Sequence, residues 1–166
     1  MERCIIMDGL EQAIMYRKEG QLEQAKKLIM QALQEQPNDP YTLLEAGYVH
    51  DQMELAPQAI NYYEQALDNG LFGDHRKDGL LCLGSSYRAV GLYEKAKETL
   101  EIGMSEFPSC NEMYIFFAMT LYNLGDYDLA MEILLSKLAE TSSDGGIQKY
   151  EEAIKFYSTR LDETFN

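Results

Sequence analysis

Small and apolar residues recur in the same register four times along the chain. Ala25, Ala59, Ala96 and Ala130 follow one another at intervals of 34, 37 and 34 residues. Such intervals are typical of stacked helical hairpins, in which no hairpin buries its apolar face alone and each packs on its neighbours. The pattern therefore predicts an all-α chain of four two-helix repeats. The predicted repeats span residues 6–39, 40–76, 77–110 and 111–144.

Glycine and proline mark the predicted ends of the helices. Gly20, Gly91 and Gly125 follow the first helices of their repeats, where glycine adopts a left-handed backbone at little cost. Pro37 and Pro108 lie where second helices must stop, because proline disfavours the helical conformation of the residue before it. These residues predict where the hairpins turn and where they end.

Polar residues predict the starts of two helices. Asp39 followed by Pro40 has the composition of an N-cap and a first helical position. Ser109 and Glu112 have the spacing of a capping box, which predicts that Ser109 caps the fourth repeat. The glycines within residues 69–76 predict a loop that lengthens the spacer between the second and third repeats.

The last part of the chain follows a glycine-rich break at residues 143–146. After it, apolar residues from Ile147 to Leu161 recur at gaps of three and four, which predicts one amphipathic helix over 147–161. This helix has no partner helix in the sequence. We therefore expect it to cover the apolar end of the stack, since terminal repeats need such a cap.

Length and charge limit the class of protein. The 166 residues suffice for one domain, and we expect a single domain over 1–166. No apolar run is long enough for a membrane helix, and the net charge of −14 disfavours nucleic acid and anionic membranes. The charge indicates either attraction to a basic partner or simply a soluble surface. Three widely spaced cysteines, Cys4, Cys82 and Cys110, favour a reducing compartment, and we expect the cytoplasm.

The third repeat carries the fullest form of the pattern. Leu80, Leu83, Gly84 and Tyr87 lie in its first helix and Ala96 in its second. In these positions the chain resembles the tetratricopeptide repeat family over residues 6 to about 142, and over most of residues 10–142 it is similar to small single-domain bacterial members. The resemblance implies a right-handed superhelical α-solenoid of four repeats plus a C-terminal capping helix.

The resemblance also implies a concave groove lined by the first helix of each repeat. An aliphatic column with aromatic, methionine and arginine neighbours forms an apolar strip, and such strips mark interaction sites. The alternative is that the protein fills the strip itself, by tight curvature or with its C-terminal helix. The candidate groove residues are Leu10, Ile14, Arg17, Tyr41, Leu44, Tyr48, Asp51, Leu81, Ser85, Arg88, Ile115, Met119 and Tyr122.

Three of these residues alternate in charge at equivalent positions. Arg17, Asp51 and Arg88 predict an ion-pair ladder that holds the repeats in register, and the alternative makes both arginines anchors for a ligand carboxylate. Some tetratricopeptide domains hold a C-terminal carboxylate with five polar side chains. We do not expect that mode here, because the corresponding positions include Leu10 and Ile14.

The sequence offers no grouping of residues with convincing catalytic, metal-binding or cofactor-binding spacing, so we expect a protein that is not an enzyme. His50 and Glu54 are four residues apart on one helix, but two ligands are too few for a structural metal site. We expect His50 to pack within its repeat. Cys82 lies among leucines and is expected to be an inert buried thiol.

Three functional hypotheses remain. The first is a scaffold or adaptor that binds a peptide or helix of an unidentified protein in the groove. The second is a cytoplasmic chaperone for a secreted or assembled subunit, a class of similar size and acidity. The third is a self-assembling structural protein, a homodimer included, in which the helix over 147–161 or the first repeat pairs with a second copy. None of them involves nucleic acid or a membrane.

Overall fold

The computed structural model describes residues 2–165, with side chains described from residue 9 onward. Met1 and Asn166 lie outside the described residues, as do the side chains of Cys4 and of residues 6–8 of the first predicted repeat. The chain divides into two compact units, Met1–Gly91 and Leu92–Asn166. The boundary falls between the two helices of the third predicted repeat, and a single domain over 1–166 stays a prediction.

The first unit is a stack of helical hairpins. α2 packs on α1 and α4 packs on α3, and each of these second helices also packs on the first helix of the next repeat. The first helices contact one another in turn, α1 with α3 and α3 with α5. The five helices are α1 Glu2–Lys18, α2 Leu22–Glu35, α3 Pro40–Gln52, α4 Ala56–Asp68 and α5 Gly73–Ala89.

A small residue faces a large one inside the second hairpin. Gly47 of α3 lies against the ring of Tyr63 of α4, and a Cβ added at residue 47 would overlap that ring. Tyr63 is fully buried, and so is Ile29 in the cluster that joins α2 to α1 and α3. Close approach of two helices therefore requires glycine at position 47, because any side chain there competes with Tyr63 for the same space.

The second unit, described by itself, has the same kind of helix packing. α7 packs on both α6 and α8. α10 packs on α8 in the same way that α7 packs on α6, that is, as the helix that follows a second helix. α10 thus takes the place of the first helix of a further repeat, which is the position of a capping helix. No strand occurs between residues 2 and 165. The five helices are α6 Tyr93–Glu106, α7 Asn111–Leu124, α8 Tyr127–Thr141, α9 Gly145–Lys149 and α10 Glu151–Ser158.

The glycines and prolines lie where the sequence predicted. Gly20, Gly91 and Gly125 have φ angles of 77°, 81° and 89°, in the left-handed region that other residues rarely adopt. The second helices before Pro37 and Pro108 each end two residues ahead of the proline. The turns of the first, third and fourth hairpins are therefore specified locally.

Only one of the two predicted helix starts is confirmed. The Asp39 carboxylate accepts a hydrogen bond from the backbone N–H of Thr42 at 2.8 Å and caps α3. The capping box at Ser109 is wrong, because Cys110 occupies the cap position and makes no side-chain cap bond. The helix begins one residue later than predicted, so that Glu112 lies at its second position instead of its third. A turn in which the Cys110 N–H donates to a preceding carbonyl sets this later start.

Two predicted boundaries also differ from the structure. α5 begins at Gly73, so the last residues of the predicted 69–76 loop are helical, and the contact of Asp74 with Lys77 at 3.0 Å supports this first turn. The helix predicted over 147–161 is interrupted at Tyr150 and ends at Ser158. The interruption separates α9, which the Asp144 carboxylate caps, from α10, which packing on α8 holds.

Candidate functional site

Arg17 joins α1 to α3. Its guanidinium donates from Nε to Glu45 Oε2 at 2.8 Å and from Nη2 to Oε1 at 3.3 Å, a two-point contact with the carboxylate. The two side chains are only 14% and 13% exposed. The guanidinium also lies over the ring of Tyr48, 4.9 Å from its centroid. These contacts with α3 hold Arg17 in one orientation.

Tyr48 extends this contact toward α4 and α5. Its ring lies edge-on to that of Tyr63, with the centroids 5.9 Å apart. Burial raises the pKa of Tyr48, and the nearby Cys82 and Asp78 of α5 add to the increase. The phenol is therefore protonated at neutral pH and remains a hydrogen-bond donor as well as an acceptor. Within the first unit, α1, α3 and α5 thus contribute to one surface, on which Tyr48 of α3 lies near side chains of both α1 and α5.

The predicted ladder of Arg17, Asp51 and Arg88 is wrong. Arg17 pairs with Glu45, and no ion pair among the described side chains joins Asp51 to either arginine. Burial raises the pKa of Asp51, and only the Ser86 hydroxyl opposes the increase; a neighbouring guanidinium would lower it. The equivalence of the three positions favoured Asp51 as the partner, but the guanidinium reaches a carboxylate earlier on α3.

Arg88 differs from Arg17 in its environment. The side chain is partly buried, and its Nε is buried without a hydrogen-bond partner among the described residues. A buried charged donor without an acceptor is unfavourable, because it loses its hydration and gains nothing in return. Arg88 is therefore the arginine of this surface that is not already satisfied by a carboxylate.

The aliphatic column of the predicted groove is only partly accessible. Leu44 is 1% exposed and lies in the core, so it offers no surface to a ligand, which corrects its assignment to the groove. The reason is that α5 packs closely here, and a Cβ at Gly79 would lie 3.7 Å from Leu44 Cδ1. Leu10, Ile14 and Leu81 are half-buried and keep some accessible surface.

Two further candidates already have partners within the protein. The ring of Tyr41 lies edge-on to those of Phe72 and His75, with centroids 6.0 Å and 4.9 Å apart. The Ser85 hydroxyl donates to the Cys82 carbonyl oxygen at 3.0 Å within its own helix. Sequence reasoning missed Phe72 because it assigned this residue to a loop, although a large apolar residue in a polar turn was a signal.

Only three of the candidate residues belong to the second unit, and all three lie on α7. Ile115 and Met119 are half-buried, whereas Tyr122 is 63% exposed. The ring of Tyr122 is 5.0 Å from that of Tyr127, which begins α8 across the turn. The repeat pattern gives Tyr127 only as a turn residue, so this exposed pair of rings is a feature that sequence reasoning missed.

His50 and Cys82 have the packed environments that the sequence indicated. His50 is buried, and its Nδ1 lies 2.7 Å from the Ala46 carbonyl oxygen. Cys82 is partly buried, and burial raises the pKa of its thiol to about 12, which leaves the unreactive protonated form at neutral pH. Across the described part of the chain, no group of acidic, histidine or cysteine side chains is arranged to hold a metal ion. Nor does any described helix have the length and apolar character needed to cross a membrane.

The stacked hairpins, the contact of Gly47 with Tyr63 and the capping helix define an all-α repeat protein. A family model described as "Tetratrico peptide repeat" matches residues 40–161, and a second, "Tetratricopeptide repeat", matches residues 11–39. The chain belongs to the tetratricopeptide repeat family. No curated protein shows significant sequence similarity to it.

Solved structures with this fold include two proteins of similar length. YrrB, "a TPR protein with an unusual peptide-binding site", has a TM-score of 0.71 and 20% identity, with 92% of this chain and 77% of YrrB covered. MamA (AMB-1) has a TM-score of 0.72 and 18% identity, with 96% of this chain and 88% of MamA covered. At these identities the likeness concerns the fold alone.

A larger assembly contains a similar stack of helices. A chain of the APC/C hetero-tetramer Cut9–Hcn1 has a TM-score of 0.75 and 18% identity over 90% of this chain. The present chain spans only 29% of that protein's length. The likeness therefore concerns a segment of a longer solenoid.

Proposed function

We propose that the chain is a protein-interaction module that binds a peptide segment on the surface shared by α1, α3 and α5. Membership of the tetratricopeptide repeat family supports the general class, since these repeats form interaction scaffolds. The peptide-binding site named for YrrB supports a peptide as the ligand, although the likeness to YrrB is one of fold. The observation that carries the proposal is the contact of Arg17 with both Glu45 and Tyr48.

This contact supports binding because it fixes side chains in advance. Arg17 and Tyr48 belong to residue types that are enriched where binding energy concentrates. Glu45 and the Tyr48 ring restrain the guanidinium, so less side-chain entropy is lost when a ligand meets this surface. Half-buried Ile14 and Leu81 add apolar area nearby. The surface therefore combines ordered polar groups with apolar contacts, as binding sites do.

Selection of displayed random peptides on the purified protein tests the proposal. We expect Tyr48→Ala to weaken binding of the selected peptides roughly tenfold or more, because a central aromatic contact is lost. Gln31→Ala removes an exposed side chain of α2 and serves as the matched control, with far-UV circular dichroism to check folding of both variants. Equal binding by wild type and Tyr48→Ala would show that this surface is not the site.

The chaperone and self-assembly hypotheses stay predictions. The same purified protein separates them from peptide binding in one measurement each. Sedimentation equilibrium reports a homodimer directly, and a chaperone must bind unfolded subunits with little preference for a short sequence. A monomer that selects a defined peptide motif supports the adaptor hypothesis over both.

A further inference from the structure

Two arginines lie near the C-terminal ends of α1 and α5, which flank α3 in the first unit. Arg17 lies in the last turn of α1 and Arg88 in the last turn of α5. They occupy the same position in the register of the repeats. Since the positions are equivalent, the contacts of Arg17 show which partners an arginine at this position needs for its hydrogen bonds.

Arg17 obtains its acceptor from the sequence that follows. Glu45 stands 28 residues further along the chain and binds the guanidinium at two points. The residue 28 positions after Arg88 is Phe116, which carries no acceptor. In the sequence, the position that carries the carboxylate for Arg17 thus has no acidic counterpart after Arg88.

The buried Nε of Arg88 confirms this difference within the first unit. It has no hydrogen-bond partner among the described residues, and the Asp51 carboxylate pairs with neither arginine. A guanidinium cannot lose its charge at any relevant pH, so the unsatisfied donor calls for an acceptor. Arg88 as a whole residue is only partly buried, so its side chain is not closed off from the surface.

We infer that Arg88 anchors a carboxylate of the bound peptide, in the manner in which Arg17 holds Glu45. This inference rests on the proposed function and assigns the two arginines different roles: Arg17 positions the surface and Arg88 contacts the ligand. The carboxylate is that of an aspartate or glutamate side chain or of the peptide's own C-terminus, since both present two oxygens to the fork. The net charge of −14 repels acidic peptides at long range. Because salt screens that repulsion beyond about 10 Å, the bond of the carboxylate to Arg88 acts at short range and selects among the peptides that reach the surface.

Two synthetic peptide arrays test the inference on the full chain. One array carries peptides with an amidated C-terminus and a single Asp or Glu moved along the sequence, and the other carries peptides with a free C-terminus and no acidic side chain. We expect wild type to select peptides from one array, and R88Q to bind them roughly tenfold to hundredfold more weakly. R88K keeps the charge without the fork and should retain part of the affinity.

The control variant is K27Q, which removes one exposed positive charge from α2 and should bind as wild type does. Far-UV circular dichroism checks folding, and a folded R88K gives a second variant should R88Q unfold. Selection from the amidated array identifies a side-chain carboxylate, and selection from the free array identifies the C-terminus. If R88Q binds the selected peptides as strongly as wild type, the role of Arg88 is refuted while the proposed function stands. If wild type binds no peptide in either array, both are refuted.

Discussion

The two units place their charged and apolar side chains differently. In the first unit, Arg17 and Glu45 form an ion pair that is largely buried between α1 and α3. In the second unit, the contact of Lys155 with Glu151 lies on the surface, with the two side chains 35% and 38% exposed. The second unit also holds most of the exposed large apolar side chains, for example Phe156.

This difference separates what the repeat pattern specifies from what it leaves open. Ala25 and Ala59 in the first unit and Ala96 and Ala130 in the second are all buried, so the pattern specifies close helix packing in both. The residues between these positions decide the character of the surface. In the first unit they form the largely buried pair of Arg17 and Glu45, whereas in the second they leave rings accessible to solvent.

The largest effect is expected from the tightest contact of the first unit. Gly47→Ala introduces a Cβ that overlaps the buried ring of Tyr63, so we expect a loss of about 3 kcal/mol in the free energy of unfolding. In the equivalent hairpin of the second unit, the corresponding residues are Ala118 and Leu134. Tyr63→Leu in the Gly47→Ala background should therefore recover part of the loss. Urea unfolding measures both changes.

Gly79→Ala is the matched control for this comparison. The added Cβ would lie 3.1 Å from Leu71 Cδ1, the end of a flexible side chain that needs to shift by only a few tenths of an ångström. Alanine also favours a helix over glycine by about 1 kcal/mol, so we expect a change near zero. A loss for Gly79→Ala as large as that for Gly47→Ala would contradict the assignment of the tight contact to Tyr63.

The two ion pairs give the second comparison. Glu45→Gln removes the charge that holds a largely buried guanidinium, and we expect a loss of about 2 kcal/mol in the free energy of unfolding. Glu151→Gln removes a partner from an exposed pair, and we expect a far smaller loss, because water and salt screen that pair. Urea unfolding at low and at high salt distinguishes them. Similar losses in both variants would show that burial does not set the strength of the Arg17 pair.

Much of the fold was predictable from the sequence because its signals are local. The glycine at each turn needs only its own backbone conformation, and Asp39 needs only the first turn of α3 to act as a cap. The later start at Cys110 and the break at Tyr150 were not predictable in this way. Both depend on how a helix end packs or turns, and the spacing of residues carries no information about that.

The site was less predictable because it depends on side-chain pairing between helices. The repeat register brought Arg17, Tyr48 and Arg88 to the first helices, but it did not distinguish Glu45 from Asp51 as the partner of Arg17. The register also could not show that Leu44 is buried, since that depends on how closely α5 approaches α3. Equivalent positions in a repeat protein therefore predict placement better than they predict contacts.

Two carboxyl groups give the smallest expected effects and the most specific contrast between the units. Burial raises the pKa of Asp51 in the first unit, whereas the hydrogen bond from Lys137, at 2.8 Å, lowers the pKa of Glu140 in the second. A raised pKa means that the folded state disfavours the carboxylate, so Asp51 reduces stability above its pKa and the penalty disappears on acidification. Glu140 does the reverse, and its contribution is lost as the pH falls through its lowered pKa.

We therefore expect Asp51→Asn to stabilise the protein near neutral pH and Glu140→Gln to destabilise it. The gain from Asp51→Asn should vanish as the pH falls from the raised pKa of Asp51 to its ordinary value of 3.8. The loss from Glu140→Gln should vanish as the pH falls from 4.5 to below the lowered pKa of Glu140. Urea unfolding at a series of pH values measures both curves. The Asp51 carboxyl is partly desolvated although the residue as a whole is largely exposed, and Glu140 is exposed as well, so we expect small differences. The informative result is the sign of each difference. Equal signs at neutral pH would contradict the contrast between a desolvated acid in the first unit and a paired one in the second.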